Sequence, residues 1–261
     1  MAGWGIVAGV YGLTLAAAAL AQPISRRPVA LMASVAYALV AFGCGTLVSW
    51  FWIQLLVPGG LLLGGYWLSG FFFRDPQPWL ERFLRETDSA IFRALGLDRL
   101  LARSPGFVLE LLEASYAADY VVVGAGAIIA AISSLAAVTH YWTLVLAAEL
   151  ACYVALPWLR SRPPRVLEGP GIVEQRAPRL RRLNVAILDR ASVQANTLPS
   201  GHVAGAIAAA IAVWPVDTTA GAILAVLAVL IAIAAAVCRY HYVVDCVTGA
   251  LVAMVAWAIV G

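Results

Sequence analysis

Residues 196–214 read Asn-Thr-Leu-Pro-Ser-Gly-His-Val-Ala-Gly-Ala-Ile-Ala-Ala-Ala-Ile-Ala-Val-Trp. Proline and serine before an apolar run predict a helix that starts at Ser200 or Gly201 and ends near residue 214. The free N–H groups of its first turn, together with the helix dipole, form an anion site. Gly201 would let a phosphate approach the backbone, and His202 would face the same anion. An ordinary helix cap with an interfacial histidine is the alternative.

A second cluster, Arg239-Tyr240-His241-Tyr242-Val243-Val244-Asp245, opens the last apolar run. In a helix, His241 and Asp245 would lie on one face, four residues apart. The carboxylate would accept a hydrogen bond from one imidazole nitrogen, fix the tautomer and leave the other nitrogen free as a nucleophile. Arg239 would reach the same opening. A His–Asp pair that only closes the helix end is the alternative.

Arginines form a third cluster where an earlier apolar run ends, at Arg160, Arg162 and Arg165. The planar guanidinium group matches phosphate oxygens, although membrane anchoring is the better explanation for Arg160 and for the arginines of residues 176–182. Asp119 and Glu149 fall inside apolar runs, where a charge is costly. The sequence leaves open whether these two are protonated, paired or part of a pocket.

Composition indicates a membrane protein. Hydrophobic residues make up 63% and charged residues 12% of the 261 positions, against about 45–50% and about 25% in soluble domains. A soluble core cannot absorb that much apolar surface. The four cysteines have no paired spacing and predict neither a disulfide framework nor a zinc site. The first apolar run begins next to Met1 without a basic leader, which favours a retained span over a signal peptide.

The apolar runs predict an all-α polytopic bundle of about eight spans, with seven as the alternative. The predicted spans cover residues 4–21, 29–48, 50–73, 115–137, 140–159, 200–214, 219–237 and 240–260. Apolar positions at helical spacing within residues 74–105 predict an amphipathic helix in the membrane interface, with a solvated connector as the alternative. We expect two units, residues 1–105 with the first spans and this helix, and residues 106–261 with the catalytic core.

All seventeen basic residues are arginines, and with eight spans they fall in loops on one side of the membrane. The positive-inside rule then predicts that this side is cytoplasmic. We expect a protein of a prokaryotic plasma membrane whose site opens towards the cytoplasm. Because an anion site needs arginines on whichever side it faces, the opposite orientation stays open.

Together the three clusters resemble the type 2 phosphatidic acid phosphatase superfamily, which also includes vanadium haloperoxidases and some lipid phosphotransferases. The motifs of that superfamily are Lys-x6-Arg-Pro, Pro-Ser-Gly-His and Ser-Arg-x5-His-x3-Asp. Residues 199–202 match the second motif completely. His241 and Asp245 match the end of the third, and Arg162 with Pro163 matches the end of the first. The resemblance covers about residues 115–260 and implies a six-helix phosphatase-like core preceded by N-terminal spans.

Two positions depart from these motifs. The lysine of the first would fall at Ala155 and the arginine of the third at Ala235, whereas this chain has Arg239, about one helical turn later. The Arg-Pro-Pro-Arg and Arg-x-His-Tyr-x2-Asp patterns look more like the branch that contains inositol-phosphoryl ceramide synthases. Because that branch transfers a phosphoryl headgroup to an alcohol, the resemblance leaves both hydrolysis and transfer open.

The resemblance implies that His241 attacks phosphorus and forms a phosphohistidine while Asp245 orients its imidazole. His202 would protonate the leaving oxygen and then activate water or an acceptor alcohol. The phosphoryl oxygens would be bound by Arg162, Arg165, Arg239 and the N–H groups at Ser200 and Gly201. We expect a lipid phosphate as substrate, membrane lipids as surroundings and no nucleic-acid partner. We expect neither a cofactor nor a metal, because no acidic cluster has metal-ligand spacing. A non-enzymatic transporter or scaffold is the remaining alternative.

Overall fold

The computed structural model describes residues 1–168, 171–176 and 179–261. The helices are α1 (Gly3–Ala21), α2 (Arg27–Gly45), α3 (Phe51–Ser69, continued by a 3-10 turn over Gly70–Phe72), α4 (Pro78–Leu95), α5 (Leu97–Arg103), α6 (Gly106–Ser133), α7 (Leu135–Tyr153), α8 (Pro164–Leu167), α9 (Ile172–Gln175), α10 (Arg179–Ala191), α11 (Gly201–Val213), α12 (Thr218–Val237) and α13 (Val243–Val260). In these ranges the only β feature is an isolated antiparallel bridge between Ser161 and Asn196.

Seven of the described helices are long and apolar enough to cross a membrane: α1, α2, α3, α6, α7, α12 and α13. The predicted polytopic helical bundle is therefore confirmed. Helix α11 is equally apolar but has only 13 residues, which makes it about 20 Å long. It packs against α6, α7, α12 and α13, and most of its residues are buried. This short helix is the centre of the core.

The two ends of the bundle differ in chemistry. At the arginine-rich end, Gln77 N donates to Arg160 O at 2.8 Å, and Arg165 N donates to Arg239 O at 3.1 Å. The loops after α3, α7 and α12 therefore meet at this end.

The opposite end holds the short turns. Trp4 Nε1 and Thr139 Oγ1 both donate to Gln54 Oε1, at 2.7 and 3.1 Å. His140 and Trp214 line one apolar cavity there. Because α11 also runs between the two ends, it adds one shorter apolar helix to the seven long ones, and the predicted count of eight spans stays a prediction.

The boundary between the fourth and fifth spans lies earlier than predicted. The sequence placed it near residue 139, but the chain turns at Ser134, whose Oγ accepts a hydrogen bond from Ala137 N at 3.0 Å. A serine cap of this kind stabilises a helix by about 1 kcal/mol. Helix α6 also begins ahead of predicted residue 115. Its extra turns are held by Glu110, which accepts hydrogen bonds from the first N–H groups of α10.

The amphipathic helix predicted within residues 74–105 is present as α4 and α5. Leu80 and Leu84 of α4 are buried and pack in a cluster with Tyr242, at the start of α13. Trp79 and Phe83 are exposed on the outer face. Exposed aromatic residues on an amphipathic helix suit the membrane interface, and the interfacial position of α4 stays a prediction.

Candidate active site

The turn before α13 places His241 beside Asp245. The sequence predicted that both lie on one helix, which is wrong, because α13 begins at Val243 with Tyr242 as its N-cap. A capping box sets this start, since Tyr242 N donates to Asp245 Oδ2 at 2.9 Å. The two side chains still lie close together, with His241 Nδ1 3.4 Å from the same Oδ2. Because Nδ1 has no hydrogen-bond partner in the part of the chain that the structure describes, the predicted His–Asp hydrogen bond stays a prediction. The side of the ring that bears Nε2 is left for a substrate.

A left-handed residue turns the chain into this position. Arg239 has a φ angle of 64°, a conformation that costs a residue with a side chain roughly 1–2 kcal/mol. After it, the N–H groups of Tyr240 and His241 both donate to Ala235 O at 2.9 Å. Ala235 is fully buried, so the arginine of the superfamily's third motif would be buried at this position. In this chain the arginine belongs to the turn itself.

His202 lies in the first turn of α11 and faces His241. The centroids of the two imidazole rings are 5.5 Å apart, and their planes differ by 58°. His202 Nε2 lies 3.6 Å from Asp119 Oδ2, on α6. Its Nδ1 is buried and has no hydrogen-bond partner among the described residues. The structure therefore brings together the three residues predicted to be catalytic, His241, Asp245 and His202.

Two tyrosines hold the ring of His202. Tyr116 stacks on His202 with 5.6 Å between centroids, and on Tyr240 with 3.7 Å. Tyr240 is fixed in turn by a hydrogen bond to Glu113 Oε2 at 2.6 Å, and the Arg181 guanidinium lies 4.7 Å from the centre of its ring. Sequence reasoning missed this stack, because a tyrosine beside an apolar run carries no signal of its partners.

Arg165 lies beside the turn that carries His241. Its Nη1 donates to Tyr240 O at 3.5 Å. Burial, and after it the positive charge of Arg165, lowers the pKa of His241 to about 3. The imidazole is therefore neutral near pH 7, as a nucleophile requires. Within the described ranges, Arg165 forms no ion pair with a carboxylate, so its guanidinium is available to an anion.

Arg162 is bound by a carboxylate of α4. Its Nε and Nη2 donate to the two oxygens of Glu81 at 2.9 Å each, and its backbone N donates to Glu81 Oε1 at 3.1 Å. These side-chain hydrogen bonds lower the pKa of Glu81 and raise the pKa of Arg162. Although 43% of the Arg162 side chain is exposed, Glu81 is buried, and a bidentate arginine–carboxylate pair of this kind is among the stronger ones. A phosphate would therefore have to compete with Glu81 for Arg162.

Arg239 is enclosed by acidic groups. Its guanidinium pairs with Asp88 and Glu168 and lies 4.7 Å from the centre of the Phe92 ring. Asp88 is fully buried and also accepts a hydrogen bond from Val243 N at 2.8 Å. Asp88 therefore ties α4 both to Arg239 and to the first turn of α13. The phosphate contacts predicted for Arg239, Arg162 and Arg165 stay predictions.

Ser200 and Gly201 both serve the packing of α11. Ser200 Oγ caps the helix by accepting from Val203 N at 3.5 Å. Ser200 N donates to Asp245 O at 2.9 Å, so this N–H joins α11 to α13. At Gly201 an added Cβ would lie 2.4 Å from Cε1 of Tyr153. Glycine is therefore required for helix contact here, and phosphate binding at these two residues stays a prediction.

A cavity of about 560 Å³ lies on the α4 side of the turn. Charged and polar residues contribute to its lining, among them Ser89, Asp98, Glu168 and Arg239. The described residues contain no group of three or more His, Cys, Asp or Glu side chains that could hold a metal ion. All four cysteines are free.

Fold and site together define a class, that of polytopic helical membrane proteins with two histidines and several arginines at one end of the bundle. A family model described as PAP2 superfamily matches residues 85–259. The chain therefore belongs to the PAP2, or type 2 phosphatidic acid phosphatase, superfamily, whose members generally catalyse phosphoryl hydrolysis or transfer. The match begins within α4, earlier than the residue 115 expected from the motifs. No curated protein and no solved structure matches the chain.

Proposed function

We propose that this protein hydrolyses a phosphomonoester of a lipid through a phosphohistidine formed on His241. The observation that carries the proposal is the convergence of two histidines from distant segments, with ring centroids 5.5 Å apart. They meet at the arginine-rich end of a bundle whose helices are apolar enough to cross a membrane. A substrate with its chains in the bilayer and its phosphate at the surface fits a site at this level.

The reaction proceeds in two balanced steps. Nε2 of His241 attacks phosphorus, the bond to the leaving oxygen breaks, and His202 gives that oxygen its proton. Neutral His202 then removes a proton from water, whose oxygen attacks phosphorus, breaks the P–N bond and returns His241. Asp245 holds the Nδ1 side of His241, so the lone pair of Nε2 faces the substrate. Arg165 and the first-turn N–H groups of α11 bind the phosphoryl oxygens.

Phosphate release tests the proposal directly. Purified protein in detergent, with a chelator present, is offered a panel of lipid phosphates, with orthovanadate as a competing phosphate mimic. We expect vanadate-sensitive release that His241→Ala lowers by at least about 10³-fold, because the nucleophile is lost. His140→Ala is the matched control, since His140 lines the apolar cavity at the opposite end. Equal release by wild type and His241→Ala would count against the site and favour a transporter or scaffold.

Transfer to an acceptor alcohol is the second candidate. The cavity of about 560 Å³ beside Arg239 and Glu168 is lined by both polar and apolar residues, and its polar part suits a polyol acceptor or headgroup. The chain has alanine at positions 155 and 235, where the superfamily's first and third motifs have lysine and arginine. These departures also favour the branch of the superfamily that transfers a phosphoryl headgroup to an alcohol. Product that depends on an added alcohol, with little free phosphate, would favour transfer over hydrolysis. The same variants apply, because both reactions use His241.

We also propose that the arginine-rich end faces the cytoplasm of a prokaryotic cell. The support is that all seventeen arginines fall at one end of the bundle, at or between the ends of the long apolar helices, together with the positive-inside rule. Arg182 is exposed on α10, so Arg182→Cys provides a label site. In intact cells an impermeant thiol reagent should leave this variant unlabelled until the membrane is permeabilised. Labelling before permeabilisation would reverse the orientation.

A further inference from the structure

Asp119 is a carboxylate in a membrane helix, where a charge is costly and marks a functional site. Its side chain is 12% exposed, and its Oδ2 lies 3.6 Å from Nε2 of His202. Its other oxygen, Oδ1, is buried without a hydrogen-bond partner among the described residues. Glu149, the other carboxylate of this region, is instead bound by the hydroxyl of Tyr153 at 2.7 Å. Asp119 therefore faces the imidazole and lacks an evident structural partner.

We propose that Asp119 is a positioning residue for His202, and that it decides which nitrogen of His202 exchanges protons with the substrate. The proposal rests on the function proposed above. It adds a second His–Asp pair to the pair that His241 forms with Asp245.

The two pairs use opposite nitrogens. Asp245 lies beside Nδ1 of His241, at 3.4 Å, and leaves Nε2 for the phosphorus. Asp119 lies beside Nε2 of His202 and leaves Nδ1, which is buried and without a partner among the described residues. Both Nδ1 atoms are buried without a hydrogen-bond partner among the described residues, but a carboxylate lies beside Nδ1 of His241 and beside Nε2 of His202. Nδ1 of His202 is therefore the buried nitrogen left for a ligand. We infer that Nδ1 of His202 is the atom that gives and takes the proton.

Stacking alone does not determine this choice. Tyr116 lies nearly parallel to the His202 ring, with 29° between the planes, and so fixes the plane of the imidazole. A half-turn about the Cβ–Cγ bond would exchange the nitrogen and carbon positions of the ring and leave it in the same plane. Asp119 favours one of the two orientations. The distance of 3.6 Å is in the ion-pair range, and catalytic hydrogen bonds are often long in ligand-free sites and shorten when substrate binds.

The chemical consequence depends on the leaving group. A lipid alkoxide is strongly basic and needs the proton that His202 supplies, whereas p-nitrophenolate leaves without one. When His202 carries both protons, the carboxylate of Asp119 stabilises the cation and directs Nδ1–H at the leaving oxygen. Loss of Asp119 should therefore slow alkyl ester cleavage selectively. A purely structural lesion would slow both esters by the same factor.

The experiment compares kcat/KM for an alkyl lipid phosphate and for p-nitrophenyl phosphate in wild type, Asp119→Asn and Glu149→Gln. For Asp119→Asn we expect a loss of about 10²-fold on the alkyl ester, which is the scale of general acid catalysis, and of less than about 3-fold on the aryl ester. Glu149→Gln removes the other buried carboxylate of this region, whose Oε2 accepts a hydrogen bond from the Tyr153 hydroxyl at 2.7 Å, and should change both rates by one common factor. In a His202→Ala background, Asp119→Asn should cause no further loss, because the two residues act as a unit.

The following results separate the outcomes. Equal losses on both esters in Asp119→Asn would overturn the inference while leaving the proposed function intact. Absence of release from both esters in wild type would overturn the proposed function first, and this inference with it. Asp119→Glu keeps the carboxylate, so it should recover at least about tenfold of the alkyl activity that Asp119→Asn loses. If Asp119→Asn does not fold, an Asp119→Glu variant equally impaired on both esters would decide against the proposal.

Discussion

Replacing Gly201 by alanine tests how the structure positions His202. The added Cβ would lie 2.4 Å from Cε1 and 2.7 Å from Oη of Tyr153. Ordinary van der Waals contact begins at 3.4 Å, so either the ring of Tyr153 or the start of α11 must move by about 1 Å. Because Ser200 and His202 flank this position, a shift of α11 would move the cap and the predicted general acid together.

We expect both stability and activity to fall. Overpacking of this kind lowers the free energy of unfolding by about 1–3 kcal/mol, and a catalytic group misplaced by about 1 Å costs about 10²-fold in rate. Thermal unfolding in detergent measures the first effect, and the initial rate of phosphate release measures the second. Gly124→Ala in α6 is the matched control, since nothing lies within 4 Å of its added Cβ, and it should lower neither quantity.

A double variant separates helix packing from phosphate approach. Tyr153→Ala removes the ring against which the new methyl group would clash. In that background Gly201→Ala should be tolerated, with a favourable coupling of about 1–3 kcal/mol between the two sites. If Gly201→Ala still lowered the rate about 10²-fold without Tyr153, the glycine would be needed by the phosphate itself, and the packing argument would be refuted.

Three further predictions concern the charges around the site. Asp88→Asn leaves Arg239 with one carboxylate fewer in a buried position, so the free energy of unfolding should fall by about 1–3 kcal/mol, whereas Glu86→Gln on the exposed face of α4 should change it by less than about 0.5 kcal/mol. Because burial lowers the pKa of His241 to about 3, its neutral form persists down to that pH. Phosphoenzyme formation from an aryl phosphate, after correction for the ionisation of the substrate itself, should therefore not decline between pH 7 and pH 5, and a tenfold decline per unit below about pH 6.5 would contradict the buried neutral imidazole. Arg165→Ala should weaken vanadate inhibition by about tenfold or more, which corresponds to a charge-assisted hydrogen bond of about 1.5–3 kcal/mol, while Arg165→Lys should lose less; equal inhibition of all three proteins would remove Arg165 from the anion site.

The fold was predictable because apolar length alone determines most spans. The errors arose where polar side chains decide a helix end. The cap by Ser134 ends α6 before the apolar residues run out, and the capping box of Tyr242 and Asp245 starts α13 after His241. Each of these caps stabilises its helix end by about 1 kcal/mol. The pattern of apolar residues does not reveal a contribution of that size to the stability of a helix end.

The site was predictable where its chemistry is local in the chain. Sequence spacing alone was enough to identify residues 199–202 and the pair of His241 and Asp245 as candidate site residues. The contacts of Asp88 with Arg239 and of Asp119 with His202 join segments more than eighty residues apart. For Asp119 the sequence showed a costly charge but gave no partner. Such pairings follow from how helices pack against one another, which a single sequence does not reveal.

Direct detection of a phosphohistidine on His241 would establish the nucleophile of the proposed reaction. An aryl phosphate with a radiolabelled phosphoryl group is mixed rapidly with His202→Ala protein, in which the water-activating histidine is gone and the intermediate should accumulate. We expect an acid-labile, alkali-stable label on His241 that is absent from the His202→Ala/His241→Ala variant. Substrate turnover without label on His241, or an equal label in the double variant, would contradict this expectation.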